Sequence, residues 1–190
     1  MADTIKIALA GEGGQGVQSV AGILADAAYD EGREALYIPN FGVEQRGGVS
    51  IAYLQITDGG EEIGSPKFKK ADIVVALSDR AVRRTVRYVD ERTTFVYDAS
   101  IKGVEDDLPK NAKQVLAIPG IEVSKNELHP RVFNILIMGA VIQATGVVKL
   151  DDAKKAIEKK LGYKFEQNPK LRELNFKALE RGAEMVQKAL

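Results

Sequence analysis

The 190-residue chain carries 27 basic and 27 acidic side chains, for a formal net charge of zero, and 45% of its residues are hydrophobic. This length supports one domain with a full core, and the charge balance excludes a global attraction to nucleic acid or to an anionic membrane. The chain has no cysteine, which excludes disulfides, thiolate zinc sites and any iron–sulfur cluster ligated by this chain alone.

Ile5–Ala10 (IKIALA) is apolar and β-branched, too short for a helix, and runs straight into glycines, so it reads as a buried first strand. Val17, Val20, Ala21, Leu24, Ala27 and Ala28 then recur at three- and four-residue spacing, which predicts a helix between Gln15 and Glu31 that Gly32 stops. Ala35–Ile38 supplies a second strand, followed by the loop PNFGVEQRGG and a third strand at Val49–Thr57. That connection is too short for a crossover helix, so the sheet is expected to be mixed. Asp58-Gly59-Gly60 is a turn signal expected to return the chain towards Glu62–Ile63. Asp72–Leu77 suits a strand covered on both faces, with Ser78 or Asp79 capping a helix that runs to about Asp90.

Thr93–Tyr97 and Gln114–Ile118 read as two further strands. Beyond Pro130 the pattern is helical over Val132–Ala144, Leu150–Leu161 and Leu171–Leu190, with breaks at Gly146 and at GYKFEQNP. No repeat or linker divides the chain, so residues 1–190 are expected to form a single domain. The fold class expected is α/β: a three-layer α/β/α sandwich with a Rossmann-like mixed sheet and C-terminal helices that cover one edge. The N-terminus lacks a basic segment followed by a long apolar run, and no segment approaches the roughly 18 apolar residues of a membrane span. A cytoplasmic protein with no membrane or nucleic-acid partner is expected.

The first strand leads into a G-x-G-x-x-G pattern at Gly11, Gly13 and Gly16. Glycines are what a chain needs to leave a strand and turn at once into a helix, and the free N–H groups of the first helical turn then favour an anion. A dinucleotide site makes a further demand, a carboxylate at the end of the second strand for the ribose hydroxyls. That strand ends Leu36-Tyr37-Ile38-Pro39-Asn40 without one. A tight turn with no ligand is the plain alternative, and Glu12 within the loop would repel a phosphate unless it turns away. The second unusual stretch, FGVEQRGGVS, places Arg46 beside Gly47 and Gly48. A guanidinium offers a rigid fork of donors for phosphate or carboxylate, while a surface arginine paired with Glu44 is the bland reading.

Taken together, GEGGQGVQSVAGILADAAYDEG, PNFGVEQRGGVSIAYLQI, ADIVVALS, RVFNILIMGAVIQATG and LNFKALERGAE closely resemble the gamma subunit of the 2-oxoacid:ferredoxin oxidoreductases, in order and over nearly the whole chain. The resemblance implies a subunit of a hetero-oligomer that is not catalytic alone. Enzymes of this family oxidatively decarboxylate a 2-oxoacid on thiamine diphosphate, pass electrons through [4Fe–4S] clusters to ferredoxin, and hand the acyl group to coenzyme A. Thiamine and clusters are implied to lie in alpha, beta and delta-type (ferredoxin-like) partners. By the same resemblance Gly11, Gly13, Gly14, Gln15 and Gly16, with Arg46, Gly47 and Gly48, contribute to coenzyme A binding. The reading from a different class is a free-standing phosphate- or dinucleotide-binding α/β module, such as an NAD-linked oxidoreductase.

Three polar residues stand outside these loops. His129, the only histidine, precedes Pro130 and suits a capping role better than acid–base work, for it lacks a neighbouring nucleophile motif. Asp98 follows a strand end, where either ligand contacts or turn chemistry would explain it. Asn134 sits in an apolar helical run and needs a partner for its amide. No pair of carboxylates, metal-ligand spacing or nucleophile elbow stands out, and no metal is expected.

Overall fold

The computed structural model describes residues 4–41, 48–58 and 63–187. Its strands are β1 (Ile5–Gly11), β2 (Glu34–Asn40), β3 (Ser50–Thr57), β4 (Ile73–Ala76), β5 (Thr94–Asp98) and β6 (Gln114–Ile118). They form one sheet in the order β2-β3-β1-β4-β5-β6. β3 runs antiparallel to both β1 and β2, while β1, β4, β5 and β6 are parallel. The mixed sheet follows from the short connection between β2 and β3. A plain Rossmann order would set the first two strands side by side, but here β3 lies between them. Residues 59–62, which carry most of the expected turn after Thr57, lie outside the described residues.

The helices are α1 (Val17–Asp30), α2 (Asp79–Thr85), α3 (Gly120–Glu127), α4 (Phe133–Thr145), α5 (Leu150–Gln167) and α6 (Pro169–Gln187). Alternate strand residues feed two cores, as the period of a strand requires. Ile7 and Leu9 of β1 join Leu24, Leu136 and Met138 on the face covered by α1 and the C-terminal helices. Ala8 and Ala10 join Tyr53, Val82, Tyr88 and Phe95 on the face covered by α2. The three-layer α/β/α expectation therefore holds.

Several boundaries differ for physical reasons. Ser78 caps α2, its Oγ accepting from the Ala81 amide at 3.1 Å, but the helix tightens into a 3-10 turn at Val86–Tyr88. That turn buries Tyr88, whose hydroxyl lies 2.6 Å from that of Tyr53. GYKFEQNP does not break the chain at its glycine, for α5 continues through Gly162 to bury Phe165 and ends at Gln167, with Asn168 as its C-cap, before Pro169 opens α6. The C-terminal helices cover a face rather than an edge. α4 is buried along most of its length and apolar all round, so it forms the centre of its layer.

Candidate functional site

β1 delivers the chain to Gly11 at the carboxyl edge of the sheet, and α1 begins six residues later at Val17. The turn between them is held by Gln15. Its Oε1 accepts from the Glu12 amide at 2.7 Å and its Nε2 donates to the Leu77 carbonyl at 2.6 Å, which ties the loop to the end of β4. Gly14 and Gly16 adopt left-handed backbone, with φ of 90° and 74°, where a side chain would be strained. The Glu12 carboxylate is 3.8 Å from the Arg80 guanidinium, an opposite charge that offsets it. Gly16 is the N-cap of α1, no side chain caps that helix, and its first turn has no acidic residue. The positive end of the helix is thus left open to an anion.

The glycines have different reasons. A Cβ on Gly11 would come within 2.8 Å of Gln15 Oε1, and one on Gly16 within 2.5 Å of Asn134 Nδ2. Packing inside the chain therefore accounts for both, and gives Asn134 its role as the residue of α4 that seats the loop. Gly13 is exposed, its φ lies outside the left-handed region, and a Cβ there would meet nothing within 4 Å. Nothing within the described chain requires a glycine at 13.

The second loop reaches the same edge. Because β3 is antiparallel to its neighbours, its first residue, Ser50, pairs with Gly11, and Ile51 pairs with Asn40. Gly48 and Val49 therefore enter the sheet beside the glycine loop. Arg46 and Gly47 lie outside the described residues, as does Glu44. Gln18, in the first turn of α1, joins the three elements, donating to Ser50 Oγ and accepting from the Tyr37 hydroxyl at 2.6 Å. Burial raises the Tyr37 pKa above that of a free phenol, which keeps the hydroxyl a donor. Sequence reasoning missed Gln18, Tyr37 and Ser50; the only signal was a polar residue early in an otherwise apolar helix stripe.

The remaining candidates are structural. His129 caps the 3-10 turn at Pro130–Val132, its Nδ1 accepting from the Arg131 amide at 3.1 Å. Asp98 is fully buried, and its carboxylate accepts from the Ser100 amide and the Ile121 amide, both at 2.9 Å, and from Ser100 Oγ. It thereby caps α3 from the end of β5. Asp98→Ala is expected to destabilise the chain by about 3 kcal/mol, since buried donors lose a charged acceptor; urea denaturation would show it as a lowered midpoint. Among the described residues no cluster of three or more His, Asp or Glu is placed to hold a metal ion. No described helix is long and apolar enough to cross a membrane.

Residues 6–185 match the family described as pyruvate ferredoxin/flavodoxin oxidoreductase. The chain belongs to that family. Among relatives of the oxidoreductase family, the ketoisovalerate oxidoreductase subunit VorA of Methanothermobacter marburgensis is 32% identical over 186 residues, which are 98% of this chain and 37% of that protein. The pyruvate/ketoisovalerate oxidoreductases common subunit gamma of Thermococcus kodakarensis is 33% identical over 177 residues, 90% of this chain and 95% of that one. A solved structure of a keto/oxoacid ferredoxin oxidoreductase gamma subunit, from Geobacter sulfurreducens, matches with a TM-score of 0.79 at 28% identity and covers 97% of this chain and 99% of that one. The chain thus spans little more than a third of the length of the VorA proteins it matches.

Proposed function

We propose that this chain acts as the gamma subunit of a multi-subunit 2-oxoacid:ferredoxin oxidoreductase, inert by itself, and that its two loops help to receive coenzyme A where it meets its partners. The observation that carries the reading is the pairing of Gly11 with Ser50, which brings the entry from the RGG segment to the edge where α1 opens. Coenzyme A carries a pyrophosphate and a ribose phosphate, which call for helix amides and a cation and need no ribose-binding carboxylate. Gly13, Gly14 and the first turn of α1 supply the amides, Arg46 with Gly47 and Gly48 supplies the cation and a close backbone approach, and Gly11, Gln15 and Gly16 hold the loop in shape.

The absence of cysteine from the sequence supports placing the [4Fe–4S] clusters in alpha, beta or delta-type partners, together with thiamine diphosphate. Those partners would decarboxylate the 2-oxoacid, send its electrons to ferredoxin and release the acyl group to coenzyme A. The Thermococcus relative's name makes it common to a pyruvate and a ketoisovalerate oxidoreductase, which supports oxoacid selection outside the gamma chain. Residues 1–190 serve as one gamma-type domain in this reading, in the cytoplasm. A free-standing dinucleotide module is disfavoured, because β3 separates β1 from the end of β2 and Asn40 stands there in place of a carboxylate.

Titration calorimetry of coenzyme A into the assembled complex tests the proposal. Arg46→Ala is expected to weaken binding by about tenfold or more, the worth of a charge-assisted contact. Equal affinity in the variant would remove Arg46 from the site, and tight NAD binding by the chain alone would favour the other reading.

A further inference from the structure

At the amino edge of β1, opposite the glycine loop, the chain forms a groove of about 400 Å³. We propose that this groove is a second anion site, one that takes a small organic phosphate with at least two charged groups. Lys6, Lys67, Lys69, Lys70 and Arg92 line it, and none of its described lining residues is a carboxylate. In a chain whose formal charge is zero, five cations around one groove are a local concentration. Like charges gathered around one groove repel one another, a cost that a bridging anion turns into attraction.

The cations are held in different ways. The Lys70 ammonium donates to the Arg87 and Val89 carbonyls at 3.1 and 2.8 Å, which fixes its position without neutralising it. Lys67 lies 5.9 Å from the centre of the Tyr53 ring. Arg92 is ion-paired with Asp90 at 3.0 Å and stands 4.0 Å from Asp72, so it contributes least. Lys6 and Lys69 have no ion pair among the described residues, and these two ammonium groups are the principal contacts.

The groove is also anchored. Gln55 of β3 is only 4% exposed and pairs across the sheet with Lys6, and its amide nitrogen donates to the Ser65 carbonyl, which pins the rim to the sheet. Phe68 forms a half-buried wall, edge-on to Tyr53 with ring centres 5.5 Å apart. A concave site of this size falls within the range of small-molecule pockets, roughly 300–1,000 Å³, and the aromatic wall suits a ligand with an apolar or heterocyclic part. These features favour a phosphorylated small molecule over the flat acidic surface of a protein.

The proposal is independent of the coenzyme A reading, because it uses the other edge of the sheet. Its test is titration of the full-length ¹⁵N-labelled chain, followed by amide shifts, with pyrophosphate, ADP and a glutamate decapeptide. Pyrophosphate and ADP are expected to bind saturably and to shift the amides of Lys6 and of residues 64–70. In the Lys6→Gln/Lys69→Gln double variant, affinity is expected to fall by about tenfold or more, with the melting temperature unchanged. Lys102→Gln, elsewhere on the surface, should retain wild-type affinity for pyrophosphate. The proposal is overturned by the absence of saturable shifts at Lys6 and residues 64–70, by equal affinity in the double variant, or by tighter binding of the decapeptide than of pyrophosphate.

Discussion

Gly139→Ala and Gly182→Ala are each expected to destabilise the chain by about 3 kcal/mol or more, at the upper end of what overpacking a core costs. α4 and α6 cross with their backbones in contact. A Cβ on Gly139 would overlap the Leu179 carbonyl oxygen, and one on Gly182 would overlap the Leu136 carbonyl oxygen. No rotamer change relieves such an overlap, because the obstacle is main chain on both sides. The helices must separate, and α4 is the buried centre of its layer, with Leu136, Met138 and Ala140 packed in the larger core. Urea denaturation would read the loss as a lower midpoint with little change in slope. Gly162→Ala is the control: Gly162 is also helical, but a Cβ there meets nothing within 4 Å. That change is expected to be neutral or to stabilise by about 0.5–1 kcal/mol, the ordinary preference for alanine in a helix. If the crossing glycines behaved like Gly162, the close approach of α4 and α6 would not be what holds this layer.

The same two glycines show what the sequence could and could not disclose. They lie within RVFNILIMGAVIQATG and LNFKALERGAE, two of the segments that carry the family resemblance, yet no local pattern says that position 139 meets position 179 or that position 182 meets position 136. Local signals were legible. The apolar run of β1, the Ser78 cap and the left-handed Gly146 that ends α4 are all decided by neighbouring residues. Sheet order was not, because β3 takes its place between β1 and β2 through its pairing with β1, a strand far away in the chain. α3 escaped notice for a similar reason: its first turn is capped by Asp98, which lies 23 residues before Ile121. At the candidate site the glycine pattern was visible, but which glycines serve the chain and which face outward depended on Asn134 and Gln15 being where they are. Gln18 ties β2 and β3 to α1 through side-chain bonds that no spacing rule announces.

That division of the glycine loop yields the second large effect, a contrast between two neighbouring positions. Gly16→Ala must place a side chain in left-handed backbone and within 2.5 Å of Asn134 Nδ2, and is expected to cost about 2 kcal/mol of stability. Gly13→Asp meets open space, so stability should stay within about 0.5 kcal/mol of wild type, as for an ordinary surface change. Its carboxylate, however, would stand beside the open end of α1 and oppose any phosphate there. In the assembled complex, coenzyme A affinity is expected to fall by at least about tenfold, equivalent to about 1.4 kcal/mol. Thermal melts of the chain and calorimetry of the complex separate the two outcomes. Wild-type coenzyme A affinity in Gly13→Asp would mean that the phosphates do not approach this turn. A stability loss matching that of Gly16→Ala would instead mean that position 13 is glycine for the fold's sake, and the argument for an external ligand at that residue would go with it.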